Sequence, residues 1–127
     1  MITEDYVSFE TAKLLKEKGF DEACPTAYSL IGKTHKVEQR SISNWGKIGQ
    51  VKRPTLQMAM KWLREVHKLG VFPSTYTNIR GGNTINVYGT AIINLNTDEL
   101  VTSDYMPRDT YEQACETAIK YCLENLI

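Results

Sequence analysis

The chain has 127 residues, 42% of them hydrophobic and 24% charged. That is the make-up of one ordinary globular domain spanning 1–127, long enough to bury a core without disulfides or metal. No apolar run approaches the roughly 20 residues that cross a bilayer. The start Met1-Ile2-Thr3-Glu4-Asp5 is acidic and polar where a secretory signal is basic and then apolar, so a cytoplasmic protein is expected.

Formal net charge is zero, but it is unevenly spread. Residues 1–32 carry −3, residues 33–80 carry +8 and residues 81–127 carry −5. A basic middle between acidic ends suits an anion site, or neutralisation between parts of the chain or between subunits.

The stretch SFETAKLLKEKGF (8–20) reads as a helix. The Ser8 hydroxyl can accept from a free N–H of the first turn. Gly19 can take the left-handed conformation that ends the helix, with Phe20 folding back. AYSLIGKTHKVEQR (27–40) fits a short hairpin turning at Gly32-Lys33. SISNWGKIGQVKR (41–53) has two glycines and no steady period. It reads as a loop pinned to the body by Trp45 and Ile48.

A second helix begins at Pro54 or Thr55, since proline suits the first turn, and Gly70 closes it. Leu56, Ala59, Met60, Leu63 and Val66 recur at three- and four-residue steps. Met58, Trp62 and Leu69 widen that apolar side. Gln57, Lys61, Arg64 and Lys68 make the remaining stripe.

Residues 71–105 are rich in β-branched and aromatic residues. Turns are expected at Gly81-Gly82-Asn83 and Asn96-Thr97-Asp98, giving three antiparallel strands. The middle strand alternates, with Ile85, Val87, Gly89, Ala91, Ile93 and Leu95 on one face. Asn86, Tyr88, Thr90, Ile92 and Asn94 fall on the other, the pattern of a sheet with one buried side. Pro73 cannot donate a ladder bond, which places the first strand at an edge.

DTYEQACETAIKYCLENLI (109–127) is the last helix. Asp109 with Glu112 resembles a capping box. Tyr111, Ala114, Cys115, Ala118, Ile119, Cys122 and Leu126 make a core face. Glu112, Glu116, Lys120 and Glu124 make a solvent face, with Glu116 and Lys120 placed to pair along the helix. The fold class expected is α+β: helix, hairpin, helix, three-stranded antiparallel sheet, helix.

Chemistry finds little to work with. Cys24, Cys115 and Cys122 suit a reducing compartment and buried apolar roles. His35 and His67 stand in no spacing that pairs a base with a thiol. The close-paired Cys or His spacing of a zinc site is absent. RGGN (80–83) is too short for a phosphate loop. Asp98-Glu99 and Glu4-Asp5 read as solvated pairs. No catalytic, cofactor-binding or metal-binding residue is assigned, and no enzyme is expected.

The residues singled out for an anion or a partner are Lys61, Arg64 and Lys68. Helix–strand–strand–strand–helix is also the order of double-stranded-RNA-binding domains, which grip phosphate with basic side chains. Those domains carry lysines at the start of the final helix, where this chain reads PRDTYEQ (107–113). A nucleic-acid-binding module using the basic segment 33–80 is therefore the alternative. The first reading is a non-enzymatic protein that binds another protein, or itself.

Three stretches, YVSFETAKLLKEKGFDE (6–22), PTLQMAMKWLREVHKLG (54–70) and TYEQACETAIKYCLENLI (110–127), resemble a large set of small uncharacterised proteins. These are encoded in gut Bacteroidetes genomes, often beside phage or mobile-element genes. The set has no assigned activity, so the resemblance implies an accessory protein of a mobile element and transfers no site residue.

Overall fold

The computed structural model describes residues 3–31, 34–39 and 50–127. Ser8 opens α1 (Phe9–Glu17) as its N-cap, its Oγ accepting from the Thr11 N–H at 3.3 Å. Gly19 closes it at φ +93°. The Phe20 N–H reaches the Leu15 carbonyl at 2.9 Å and the Gly19 N–H reaches Lys16 at 3.2 Å, the paired bonds of a Schellman end. Phe20 is then buried.

The hairpin forms as β1 (Thr26–Ile31) and β2 (Thr34–Gln39). Its expected turn, Gly32-Lys33, lies outside the described residues. So do Trp45 and Ile48 of the expected loop. The end of that stretch is not loop, because Gln50–Lys52 form β3 on the other edge of β1, giving the order β2-β1-β3. Three residues with no period of their own become a strand because β1 offers a free edge.

The N-terminal segment runs beside the start of α2 (Leu56–His67). Val7 N–H donates to the Pro54 carbonyl at 3.1 Å and Leu56 N–H to Asp5 at 2.9 Å. Thr55 is the N-cap, accepting from the Met58 N–H at 3.1 Å, so Pro54 sits one residue before it rather than in the first turn. At the other end Lys68, not Gly70, adopts the left-handed conformation at φ 57°. Leu56, Ala59, Met60, Trp62 and Leu63 are buried, whereas Val66 is 55% exposed. Gln57, Lys61, Arg64 and Lys68 are all exposed.

The second sheet has the order β4-β5-β6, with β4 (Leu69–Arg80), β5 (Asn83–Asn94) and β6 (Glu99–Arg108) antiparallel. Pro73 therefore lies on an edge strand. The β5–β6 register shifts twice, between Tyr88 and Thr90 and between Ile92 and Ile93. Toward the hairpin turn, β5 from Asn83 to Val87 pairs with β4 alone.

Helix α3 (Tyr111–Asn125) lies against β4 and β5 and also touches α1 and α2. Thr110 caps it, accepting from the Gln113 N–H at 3.1 Å, while Gln113 Oε1 accepts from the Asp109 N–H at 3.2 Å. The capping residues are thus one position further on than the Asp109–Glu112 pair. Ala114, Cys115, Ala118, Ile119, Cys122 and Leu123 are buried. All of these but Ala114 join Leu15 of α1, Leu63 of α2 and Ile92 of β5 in one core. The result is a small α+β domain. No helix among the described residues is long and apolar enough to cross a membrane.

The face expected to be solvent on α3 is partly a seam. Glu116 Oε1 accepts from the Ser8 N–H at 3.0 Å and from the Thr11 hydroxyl at 2.5 Å. Lys120 Nζ reaches Glu10 Oε2 of α1 at 3.3 Å. Helix spacing alone could not show that a second helix lies opposite.

Candidate functional site

Lys61, Arg64 and Lys68 stand on the outer side of α2, because Leu63 and Trp62 turn the opposite side into the core. Arg64 Nε is 4.0 Å from Glu65 Oε1, with both side chains at least half exposed, and such pairs contribute little. The surrounding charge is mixed. Beside the start of the same helix, Glu4, Asp5 and Glu112 line a groove with Leu56, Gln57 and Tyr111. A phosphate backbone laid along α2 would meet those carboxylates.

Other cations of the basic segment are engaged within the chain. Lys52 pairs with Asp21 at 2.9 Å. That hydrogen bond, and the lysine's charge, hold the Asp21 carboxyl below its ordinary range. The Arg53 guanidinium lies 3.8 Å from the Tyr6 ring centroid and 5.5 Å from that of Tyr28. Its Nη1 also reaches the Thr26 hydroxyl at 3.5 Å. Arg53 thus fastens the N-terminal segment, and Lys52 the segment after α1, to the small sheet.

The three thiols are free and buried. Burial pushes Cys24 and Cys115 up to about 11 and Cys122 up to about 12. A thiol nucleophile needs the opposite shift. Among the described residues no group of three or more His, Cys, Asp and Glu side chains is placed to hold a metal ion.

A second surface emerges from the sheet. Paired residues share a face, and Val71, Ile92 and Thr102 pair across the strands. Thr90, Ile92 and Thr102 line a cavity with Thr117, Ala118 and Tyr121 of α3, and the Tyr88 ring stands edge-on to Tyr111 at 6.3 Å. The helices therefore cover the side of β5 that carries Tyr88, Thr90 and Ile92. The more apolar set, Ile85, Val87, Gly89, Ala91 and Ile93, points the other way.

That outward face is apolar near the α2 junction. Phe72 is 48% exposed, Leu100 59% and Val101 38%. Ile93, Ala91 and Leu95 are half-buried between them. Val87, toward the hairpin end, is fully buried. Alternation along β5 was readable in the sequence, but not the side on which the helices would dock.

Comparison with family models, curated proteins and solved structures gives no match to this chain.

Proposed function

We propose that the chain is a binding module that engages another protein through the outward face of β4–β5–β6. The observation behind this reading is the run of half-exposed apolar side chains from Phe72 across Ile93 to Leu100 and Val101. Contiguous apolar surface of this kind marks interaction sites. Lys61, Arg64 and Lys68 then keep the flank of α2 soluble and favour an acidic neighbour. Three buried thiols suit a reducing compartment. The resemblance of the helical stretches supports an accessory role in a phage or other mobile element, in the cytoplasm of its host.

The test is capture from host lysate by the tagged chain, by its Phe72→Glu variant and by a variant with Lys61, Arg64 and Lys68 all changed to Gln. A protein held by the parent after nuclease treatment and lost with Phe72→Glu supports the reading. Binding that nuclease abolishes overturns it in favour of nucleic acid, and nuclease-resistant binding that only the triple variant loses moves the contact from the sheet to α2.

A further inference from the structure

We infer that the cleft between α3 and the β5–β6 side of the second sheet binds a single neutral sugar or cyclic polyol ring. This goes beyond the protein-binding reading, which uses the opposite side of the same sheet.

The cleft exists because α3 lies chiefly over β4 and β5 and covers little of β6. Its floor is the helix-facing side of the strands. Thr90 and Ile92 stand two residues apart on that side of β5, and Ile92 pairs with Thr102 of β6. Thr117, Ala118 and Tyr121 face them from α3. Tyr121 follows Ala118 by three residues and Thr117 by four, which puts all three on one side of the helix. The space enclosed is about 240 Å³.

Thr90 points to a ligand. It is only 4% exposed and opens into the cleft. Among the described residues its hydroxyl has no hydrogen-bond partner. A buried hydroxyl left unpaired is costly, and buried polar groups are nearly always matched, so its partner comes from outside the chain. Thr102 and Tyr121 likewise make no side-chain hydrogen bond among the described residues. Thr117 gives its proton to the Gln113 carbonyl at 2.8 Å and keeps oxygen lone pairs for an incoming donor.

Chemistry narrows the occupant. Among the described residues none that lines the cleft is charged, so nothing there offsets the desolvation of a phosphate, a carboxylate or an amine. A hydroxyl both donates and accepts, and it turns to suit its partner. Hydroxyls from two strands and a helix surround the apolar patch of Ile92 and Ala118. That arrangement matches a ring with hydroxyls at its edge and C–H groups on its face. Tyr121, 40% exposed, can cover that face. The volume falls below the ~300–1,000 Å³ of drug-sized pockets, which admits one ring and not a chain.

The experiment is an NMR titration of the methyl-labelled chain with D-glucose, D-galactose and myo-inositol, each to about 50 mM, a span that brackets the millimolar affinity of so small a ligand. At least one ring should give saturable shifts centred on the methyls of Thr90, Ile92, Thr102, Thr117 and Ala118. Thr90→Val keeps the shape, removes the hydroxyl and should weaken binding about five-fold, the effect of one neutral hydrogen bond. Tyr121→Ala should weaken it too, while Phe72→Glu, on the other side of the sheet, should bind as the parent does. Thermal melts check that each variant is folded. Shifts that rise only linearly with all three rings mean that water alone fills the cleft, and they overturn the inference. So does saturable binding that Thr90→Val leaves unchanged, or saturable shifts centred on Phe72 and Leu100.

Discussion

Phe72 occupies the space where Gly70 has no side chain. A β-carbon on Gly70 would lie 2.6 Å from Phe72 Cε2 and 3.0 Å from Leu95 Cδ2. The atom that must move is the far end of a half-exposed ring, so it can swing away. Gly70→Ala should therefore stay within about 1 kcal/mol of the parent, since alanine also removes some unfolded-state freedom. Gly70→Ala combined with Phe72→Ala should be more stable than the two single effects summed, because the clash goes with the ring. Urea melts of the double-mutant cycle check this, and simple additivity would refute the contact.

Leu63 has no exposed surface and belongs to the core that α2 shares with α1, α3 and β5. Leu63→Ala should cost about 2–5 kcal/mol through lost packing and the cavity left behind. Lys61→Ala, two residues away on the exposed side, should change stability by less than about 0.5 kcal/mol. Equal melting temperatures for parent and Leu63→Ala would contradict the burial.

Glu116 serves α1 from another helix. Replacing it by Ala leaves the Ser8 N–H and the Thr11 hydroxyl without that acceptor and removes negative charge from the start of α1. The expected loss is about 1–3 kcal/mol. Glu116→Gln keeps an oxygen acceptor and should lose less. Thermal unfolding of both variants decides it; equal losses would show that the acceptor is irrelevant.

The cysteines give a pH prediction with a definite sign. Folding raises each thiol above its ordinary value of 9.0, to about 11 for Cys24 and Cys115 and about 12 for Cys122, chiefly by burial. A raised acid constant means that the unfolded chain loses its protons first. Their contribution is fully present below pH 9.0 and is lost as pH rises through about 11 and 12. Denaturation midpoints should fall across that alkaline window, and changing the three cysteines to Ala should flatten the fall. Native thiol labelling near neutrality should be slow at all three positions and fast after unfolding.

The stripe of Lys61, Arg64 and Lys68 is expected to be a wet flank. Changing all three to Gln should leave the melting temperature nearly unaltered. Binding to duplex RNA, duplex DNA or single strands, measured from low to physiological salt, should show no steep salt-sensitive component for the triple change to remove.

Helix α1 could be read from its letters because Ser8, Gly19 and Phe20 act within a few residues of one another. The buried side of α2 was equally legible, Val66 apart, since Leu56, Ala59 and Leu63 share one face. The Lys68 cap was hidden because Gly70 offered the usual glycine signal, and Gly70 turned out to serve Phe72. Strand β3 was hidden because its partner, not its own pattern, makes it a strand. Of the candidate surfaces, the exposure of Lys61, Arg64 and Lys68 followed from helical periodicity. The apolar sheet face required knowing which side of β5 the helices take, and both sides of that strand carry apolar residues.

The bond from Ser8 to Glu116 spans 108 positions. During synthesis α1 leaves the ribosome long before the carboxylate that completes its first turn. Its own nine residues are too few to hold a helix in water without tertiary support. Helix α1 should therefore acquire lasting order only when α3 docks. Ribosome-bound chains halted before α3 emerges should remain open to proteolysis between residues 9 and 17.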